Sequence, residues 1–442
     1  MSKPIPLIAH PSAGAAFAYR GGRVITAGQY LADVGRLASM LPAGGHVVNL
    51  CADRYRFAVG LGAAMTSGKI SLLPPTQVPE IIRHLHAFAP DAICLNDDPG
   101  CAVDLPRVCY PPNFAPPTRW EVPRIAAAQC VAHVFTSGTT GAPVPHVKTW
   151  AKLVANVRIE AERMGLTDGR RHALIATVPA QHMYGFESSV LVAMQSGQAF
   201  AAERPFYPAD IAAVLQQAPA PRVLVTTPIH LRSLLAGALA MPAVELILCA
   251  TAPLDLELAR LAVRRFDAPL LEIYGATETG QIASRRPIES PRWQLWPGVE
   301  LTARDGGTIA AGGHVEVPTR LGDVIESQGD GRFLLHGRIE DLVNVAGKRN
   351  SIAHLNHHLN AMPGIVDGAF FVREEGEANF STMRLGAVVV APGLTAAAIL
   401  THLSERVDAV FLPRPLVFVD TVPRNATGKL TKAALEALTA RR

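Results

Sequence analysis

The chain has 442 residues, 49% hydrophobic and 18% charged, a balance that excludes a disordered polymer and supports two to three folded domains. Its formal charge of +4 is too small and too dispersed to indicate a nucleic-acid partner. No apolar run reaches the ~18 residues of a membrane span. Prolines and His10 interrupt the N-terminal apolar stretch before a signal-peptide core forms, so a cytoplasmic location is expected. The six cysteines, at 51, 94, 101, 109, 130 and 249, show no C-x-x-C spacing, which argues against a zinc site or redox dithiol and for buried thiols.

Along the chain, the first stretch that carries chemistry is HVFTSGTTGAP at 133–143. Thr136, Ser137, Gly138, Thr139, Thr140 and Gly141 are six successive hydroxyls or glycines, where a turn needs one or two. Small residues let backbone N–H groups form a concave nest for phosphate oxygens, and hydroxyls add donors. A flexible Ser/Gly linker is the alternative. The stretch is not a Walker loop, because no G-K-S/T follows at the required spacing. Four later apolar runs also end in polar loops: HALIATVPAQH, RVLVTTP, ELILCATAP and LLEIYGATE. All five predict buried parallel strands. Leu254, Leu258, Leu261 and Ala262 predict a helix ahead of the last. Open α/β sheets bind ligand outside the carboxyl ends of their strands. The five loops are therefore expected to converge on one crevice, bringing together residues 136–140, His182, Thr226, Thr227, Thr251 and residues 277–279.

After about residue 300, glycine-rich turns and short alternating runs predict an antiparallel subdomain. Segments 352–361, 367–373, 385–391, 395–408 and 414–420 then read as helix, strand, strand, helix and strand, ahead of a polar loop PRNATGK. The predicted fold class is α/β. A large N-terminal domain of α/β sheets with the antiparallel subdomain spans 1–337, and a small mobile α+β C-terminal domain spans 338–442.

Six motifs occur in order: TSGTTGAP at 136–143, PAQHMYG at 179–185, YGATETG at 274–280, LGD at 321–323, GRIEDLVNVAG at 337–347 and PRNATGK at 423–429. On these, nearly the whole chain resembles the adenylate-forming superfamily of acyl-CoA synthetases, firefly luciferase and peptide-synthetase adenylation domains. The resemblance implies an AMP-forming acid–thiol ligase that uses ATP and Mg²⁺. It implies that the 136–141 loop wraps the β and γ phosphates, that Thr277 holds the α-phosphate and that Glu278 is the Mg²⁺ ligand. Tyr274, Gly275 and Ala276, with Thr251, Ala252 and Pro253, become the adenine surroundings. Asp323 accepts the ribose hydroxyls beside Arg338, and Lys429 bridges carboxylate and α-phosphate as charge develops. His182 lies beside the acyl pocket, and Glu340 is the hinge. Taken alone, Lys429 reads as a solvated charge, Asp323 as a turn residue and His182 as a packed histidine.

The chain departs from the family pattern in places. Pro143 is followed by Val144-Pro145-His146 rather than the usual Lys-Gly, and the next lysine, Lys148, is not assigned the missing phosphate role. Glu340 and Asn344 stand where aspartate and lysine are commoner. The chain's shortness and the run GTTGAPVPHVKTW resemble compact ligases of bacterial aryl-polyene and xanthomonadin-type pigment pathways. That likeness implies transfer to the phosphopantetheine of an acyl carrier protein, with free coenzyme A as the alternative acceptor. A nucleotide-binding relative without catalysis is a reading of another class, supported only by the altered 144–148 segment. The acid pocket is expected from 182–189, 249–253 and 276–282, stretches without lysine or arginine. A neutral-bodied aryl acid such as a hydroxybenzoate, or a medium acyl acid, is therefore expected. Glu187 could accept a bond from an amine or phenolic hydroxyl if it faces that pocket.

Overall fold

The computed structural model describes residues 3–116, 119–137, 143–237, 239–304, 307–338, 342–345, 348–375, 382–422 and 424. The chain forms two compact units, Met1–Leu301 with Ala310–Thr319, and Thr302–Ile309 with Arg320–Arg442. Among the described residues, no helix is long and apolar enough to cross a membrane. Cys51, Cys94 and Cys249 are buried free thiols, whereas Cys101 and Cys130 are half-buried and Cys109 is exposed.

In the larger unit, strands Leu270–Ala276, Leu246–Cys249, Arg222–Thr226, Ala173–Ala176, Ala199–Ala201 and Ala16–Arg20 lie side by side and parallel. Antiparallel strands Gly280–Arg285 and Arg23–Thr26 flank this set. The strands ALIA and LILC are buried at all four positions, as strands covered on both faces require. Helices Pro208–Gln217, Pro228–Ala236 and Leu256–Phe266 supply Leu215, Leu231, Leu258 and Phe266 to the core beneath. The last helix starts two residues later than its apolar spacing suggested. Asp255 caps it by accepting from the N–H groups of Glu257 and Leu258, so the buried stripe is Leu258, Ala259, Ala262 and Phe266, and Leu261 faces solvent.

The five apolar strands do not all share one sheet. Cys130–Ser137 belongs to a second, six-stranded sheet, parallel to Ile70–Leu73 and antiparallel to Pro143–Thr149. Thr226 and Thr227 also differ from expectation, because both are fully buried and their hydroxyls are used internally. Thr226 Oγ1 lies 3.1 Å from Thr177 Oγ1, and Thr227 Oγ1 lies 2.8 Å from His230 Nδ1. Thr227 is the cap of the helix that follows it.

The smaller unit has the predicted elements: helix Ile352–Asn360, strands Asp367–Glu375 and Thr382–Val390, helix Ala396–Ser404 and strand Leu416–Phe418. Leu355, Leu359, Phe370, Val389, Ile399 and Leu403 form its core. Arg424, at the start of the PRNATGK stretch, grips Asp367 through Nε at 2.8 Å and a terminal nitrogen at 2.7 Å. Strands 320–338 group with this unit. The expected hinge residue Glu340 lies outside the described residues.

Arg54 is the most heavily bonded buried charge of the larger unit. It is 1% exposed and opens helix Arg54–Thr66, with Asp53 as the cap. Its guanidinium donates to Ser189 Oγ at 2.9 Å and to the carbonyls of Ala176, Val178, Ala201 and Glu203 at 3.2, 2.6, 3.3 and 2.9 Å. Burial holds its pKa down to about 10, so the charge persists at neutral pH. Removing it strands three buried carbonyls and a half-buried one. Arg54→Met is expected to lower stability by ~3 kcal/mol or more, read as a lower urea midpoint.

Candidate active site

The YGATETG motif forms a β-hairpin rather than a strand-end loop. Strand Leu270–Ala276 turns through Thr277, Glu278 and Thr279 into Gly280–Arg285, with Tyr274 opposite Ala283 and Ala276 opposite Gly280. Such a three-residue connection takes a left-handed residue at its end, and Gly280 supplies it at φ +71°. Thr279 Oγ1 closes the turn by accepting from the Ala276 N–H at 3.2 Å and donating to the Gly280 carbonyl at 2.8 Å. Thr277 and Glu278 are thereby held half-exposed at the tip. Glu272 and Arg285, 2.7 Å apart across the base, secure the hairpin. Tyr274 leans on Trp293, its ring centroid 5.6 Å away.

The strand Pro143–Thr149 meets this tip with alternate side chains. His146 Nε2 lies 3.6 Å from Glu278 Oε1 and 2.9 Å from Thr136 Oγ1, linking the strand before the phosphate-type loop to the hairpin. Two residues on, Lys148 donates from Nζ to the Glu278 carbonyl at 3.2 Å. Lys148 is only 3% exposed; burial pulls its pKa down, while Glu187, Glu316 and Glu278 oppose that shift. Its ammonium is tied to the turn backbone, so the structure gives it a positioning contact with the expected metal ligand.

His182 caps a short helical turn, Met183–Gly185, its Nδ1 accepting from the Tyr184 N–H at 3.3 Å. A Cβ at Gly185 would come within 2.0 Å of the Pro179 carbonyl oxygen, which explains the glycine of the QHMYG motif. The chain continues as a π-helix, Phe186–Leu191, with every residue buried. Glu187 on this turn accepts a hydrogen bond from Asn156 Nδ2. Burial pushes its carboxyl up to about 8, with Lys148 the main opposing influence.

A cleft opens where these parts meet. Met183 and Glu187 line it from the expected 182–189 stretch, and Thr279 and Gly280 from 276–282. Lys148, Lys152 and Asn156 enter from the Pro143–Thr149 strand and the helix after it, and His314 and Glu316 from further along. The expected absence of lysine near the pocket is thus corrected, because residues distant in sequence supply two. Both are engaged, Lys152 by the Gly313 carbonyl at 2.6 Å. Sequence spacing did carry one signal for this. Asn156 and Glu160 sit four apart on the same buried face of Trp150–Arg163 as Leu153 and Val157, polar groups where an apolar stripe is the rule.

Thr251 has φ +85°, an uncommon left-handed backbone for a threonine, in the loop with Ala252 and Pro253. In the smaller unit, Asp323 and Arg338 are cross-strand partners. Gly138, Thr139, Thr140, Gly141 and Lys429 lie outside the described residues.

Glu160, fully buried beside Ser188 and Gln281, has its carboxyl pushed by burial from 4.5 to about 7. A raised acid pKa means that the folded state holds the proton more tightly than the unfolded chain. Its contribution to stability is complete below about pH 4.5 and is lost as pH rises through about 7. Glu160→Gln should therefore match the wild type near pH 4.5 and exceed it by pH 8, by an amount on the order of 3 kcal/mol, in paired urea titrations.

Residues 9–303 match the AMP-binding enzyme family. The chain is 30% identical over 309 residues to a 4-coumarate-CoA ligase of Rhodobacter capsulatus, covering 69% of this chain and 76% of that protein. It is 24% identical over 339 residues to a 4-chlorobenzoate-CoA ligase of Arthrobacter sp, covering 68% and 64% respectively. ATP-bound MatB from Rhodopseudomonas palustris shares the fold with a TM-score of 0.81 at 19% identity, over 97% of this chain and 96% of the other. The anthranilate CoA ligase AuaEII, in complex with anthranoyl-AMP, gives 0.81 at 16% identity over 99% of each chain. The family match spans well over half of the sequence, and with the coumarate-ligase relative it shows that this chain belongs to the AMP-binding enzymes.

Proposed function

We propose that this protein joins an aromatic carboxylic acid to coenzyme A through an acyl adenylate. The observation that carries the reading is the hairpin tip: one turn presents Thr277 and Glu278 on one side and Thr279 and Gly280 to the Glu187 cleft on the other. In this reading, phosphate chemistry and acid recognition share a single hairpin. Acid activation with ATP follows from family membership. The relatives named as 4-coumarate and 4-chlorobenzoate ligases support an aromatic acid, and support coenzyme A over the carrier protein expected from the loop resemblance.

In the proposed reaction, a carboxylate oxygen attacks the α-phosphorus and pyrophosphate leaves. The thiol then attacks the acyl carbon and AMP leaves. Thr277 holds the α-phosphate, and His182 borders the acid. Asp323 and Arg338 take the ribose, and Lys429 bridges the developing charges. Glu278 suits Mg²⁺, which needs one or two carboxylates plus phosphate oxygens, because its side chain is 37% exposed and free of any lysine or arginine pair among the described residues. The metal's part is to neutralise phosphate charge. Between the half-reactions the chain pivots at Glu340, which withdraws Lys429.

ATP–pyrophosphate exchange over a panel of aromatic, fatty and amino acids tests this reading. Aromatic acids should be fastest, and coenzyme A should then yield the thioester. An amino acid outrunning every aromatic acid overturns the substrate class, and loading of a holo carrier protein in place of coenzyme A overturns the acceptor. Lys429→Ala should lower exchange by about 10²–10³-fold while ATP still binds and supplied acyl adenylate is still converted to thioester. Equal loss in both half-reactions removes Lys429 from the proposed role.

A further inference from the structure

We propose that Asp168, His172 and Glu245 form a binding site for a divalent transition cation, built without cysteine and away from the hairpin. His172 Nε2 lies 3.9 Å from Asp168 Oδ2 and 3.9 Å from Glu245 Oε2, and the three atoms all fall within 4.8 Å of one another. An ion centred among them lies about 2.3–2.5 Å from each, so a small contraction gives transition-metal bond lengths. One imidazole nitrogen with two carboxylates suits Zn²⁺ or Co²⁺ better than Mg²⁺ or Ca²⁺, which take oxygen ligands.

The histidine points to a ligand independently of the acids. Its side chain is 4% exposed, and Nδ1 is sealed without a partner. Nε2, aimed between the carboxylates, is too far from either for a hydrogen bond. Buried polar side chains are rarely left in this state, and an ion at Nε2 supplies the missing partner. The ligands are also held in place. The His172 N–H donates to Gln198 Oε1 at 2.6 Å, and Gln198 Nε2 donates back to the Leu166 and Arg170 carbonyls at 2.8 and 3.2 Å. The Glu245 N–H donates to the Arg222 carbonyl at 2.7 Å.

Arg170 is the counter-ion that the cation displaces. It reaches Asp168 Oδ2 through Nε at 2.5 Å and Glu245 through both terminal nitrogens, one of them at 3.1 Å. This answers the acids and leaves the ring unmet. Its side chain is 55% exposed, so it can withdraw into water at little cost, and a divalent ion then neutralises the two carboxylates. His172 precedes strand Ala173–Ala176 and Glu245 precedes Leu246–Cys249, with Arg222–Thr226 between them in the sheet. The ion therefore clips together the amino ends of strands whose carboxyl ends lead to His182 and Thr251.

The test titrates the metal-free protein and three variants with Co²⁺, whose visible spectrum separates nitrogen and oxygen ligands from thiolates. The wild type should bind an ion with no thiolate band, and saturation should raise its thermal midpoint. Arg170→Ala removes the competing cation and should bind about fivefold tighter. His172→Gln and Glu245→Gln should each weaken binding by about a hundredfold. If the buried His172 variant does not fold, the Glu245 variant, at a side chain 40% exposed, decides. A thiolate spectrum, an affinity unchanged in the Arg170 or the Glu245 variant, or binding by Arg170→Ala alone overturns the site in the native chain.

Discussion

A guanidinium sealed from water has to find acceptors for its five donors, and in this protein that requirement ties the larger unit together. Arg54 takes carbonyls from the ends of two neighbouring strand segments, at 176–178 and 201–203, and the hydroxyl of Ser189 on the π-helix. Ser189 is two residues beyond Glu187, so the group that sets strand-end spacing also seats the turn that carries the cleft's acid. The Asp53 cap starts the helix that delivers the guanidinium. The seating of that turn therefore traces to a buried cation bonded to the strand ends.

The second constraint is desolvation around the hairpin. Burial drives Glu187 and Glu160 toward the protonated form and Lys148 toward the neutral one; attraction between Glu187 and Lys148 opposes the shifts of that pair, whereas Glu160 adds to the shift of Glu187 and is itself opposed by the Ser188 and Gln281 side chains. His314, held down to about 4 by burial, stays neutral beside them. The result is a set of buried acidic and basic groups with little net charge around the cleft. Glu278, only a turn away, is half-exposed and so remains open to a metal-bound phosphate group. Two acids close to Lys148 thus differ sharply in solvent access, Glu187 sealed and Glu278 half-exposed.

Much of this was legible in the residues. Strands such as LILC and ALIA, the order of elements in the smaller unit and the glycines of QHMYG and YGATETG follow from local rules, because burial on both faces and tight backbone approach leave few residue choices. The motifs carried the family. Less legible were the ends of elements: the helix opens at its Asp255 cap, past Leu254, and its buried face leaves Leu261 in solvent.

What the sequence by itself determined, then, is the fold class and the family, since both depend on short-range pattern. Only the tertiary structure decided that the 130–137 strand lies in a different sheet from the other four, that Thr226 closes on Thr177 and Thr227 on His230, and that Lys148, Asn156 and Glu316 reach the cleft beside Glu187. The physical reason is that a strand's sheet and a side chain's partner are chosen by long-range packing and desolvation. Lys148 and Glu278 are 130 positions apart in the chain and 3.2 Å apart in space, a relation that no local spacing encodes.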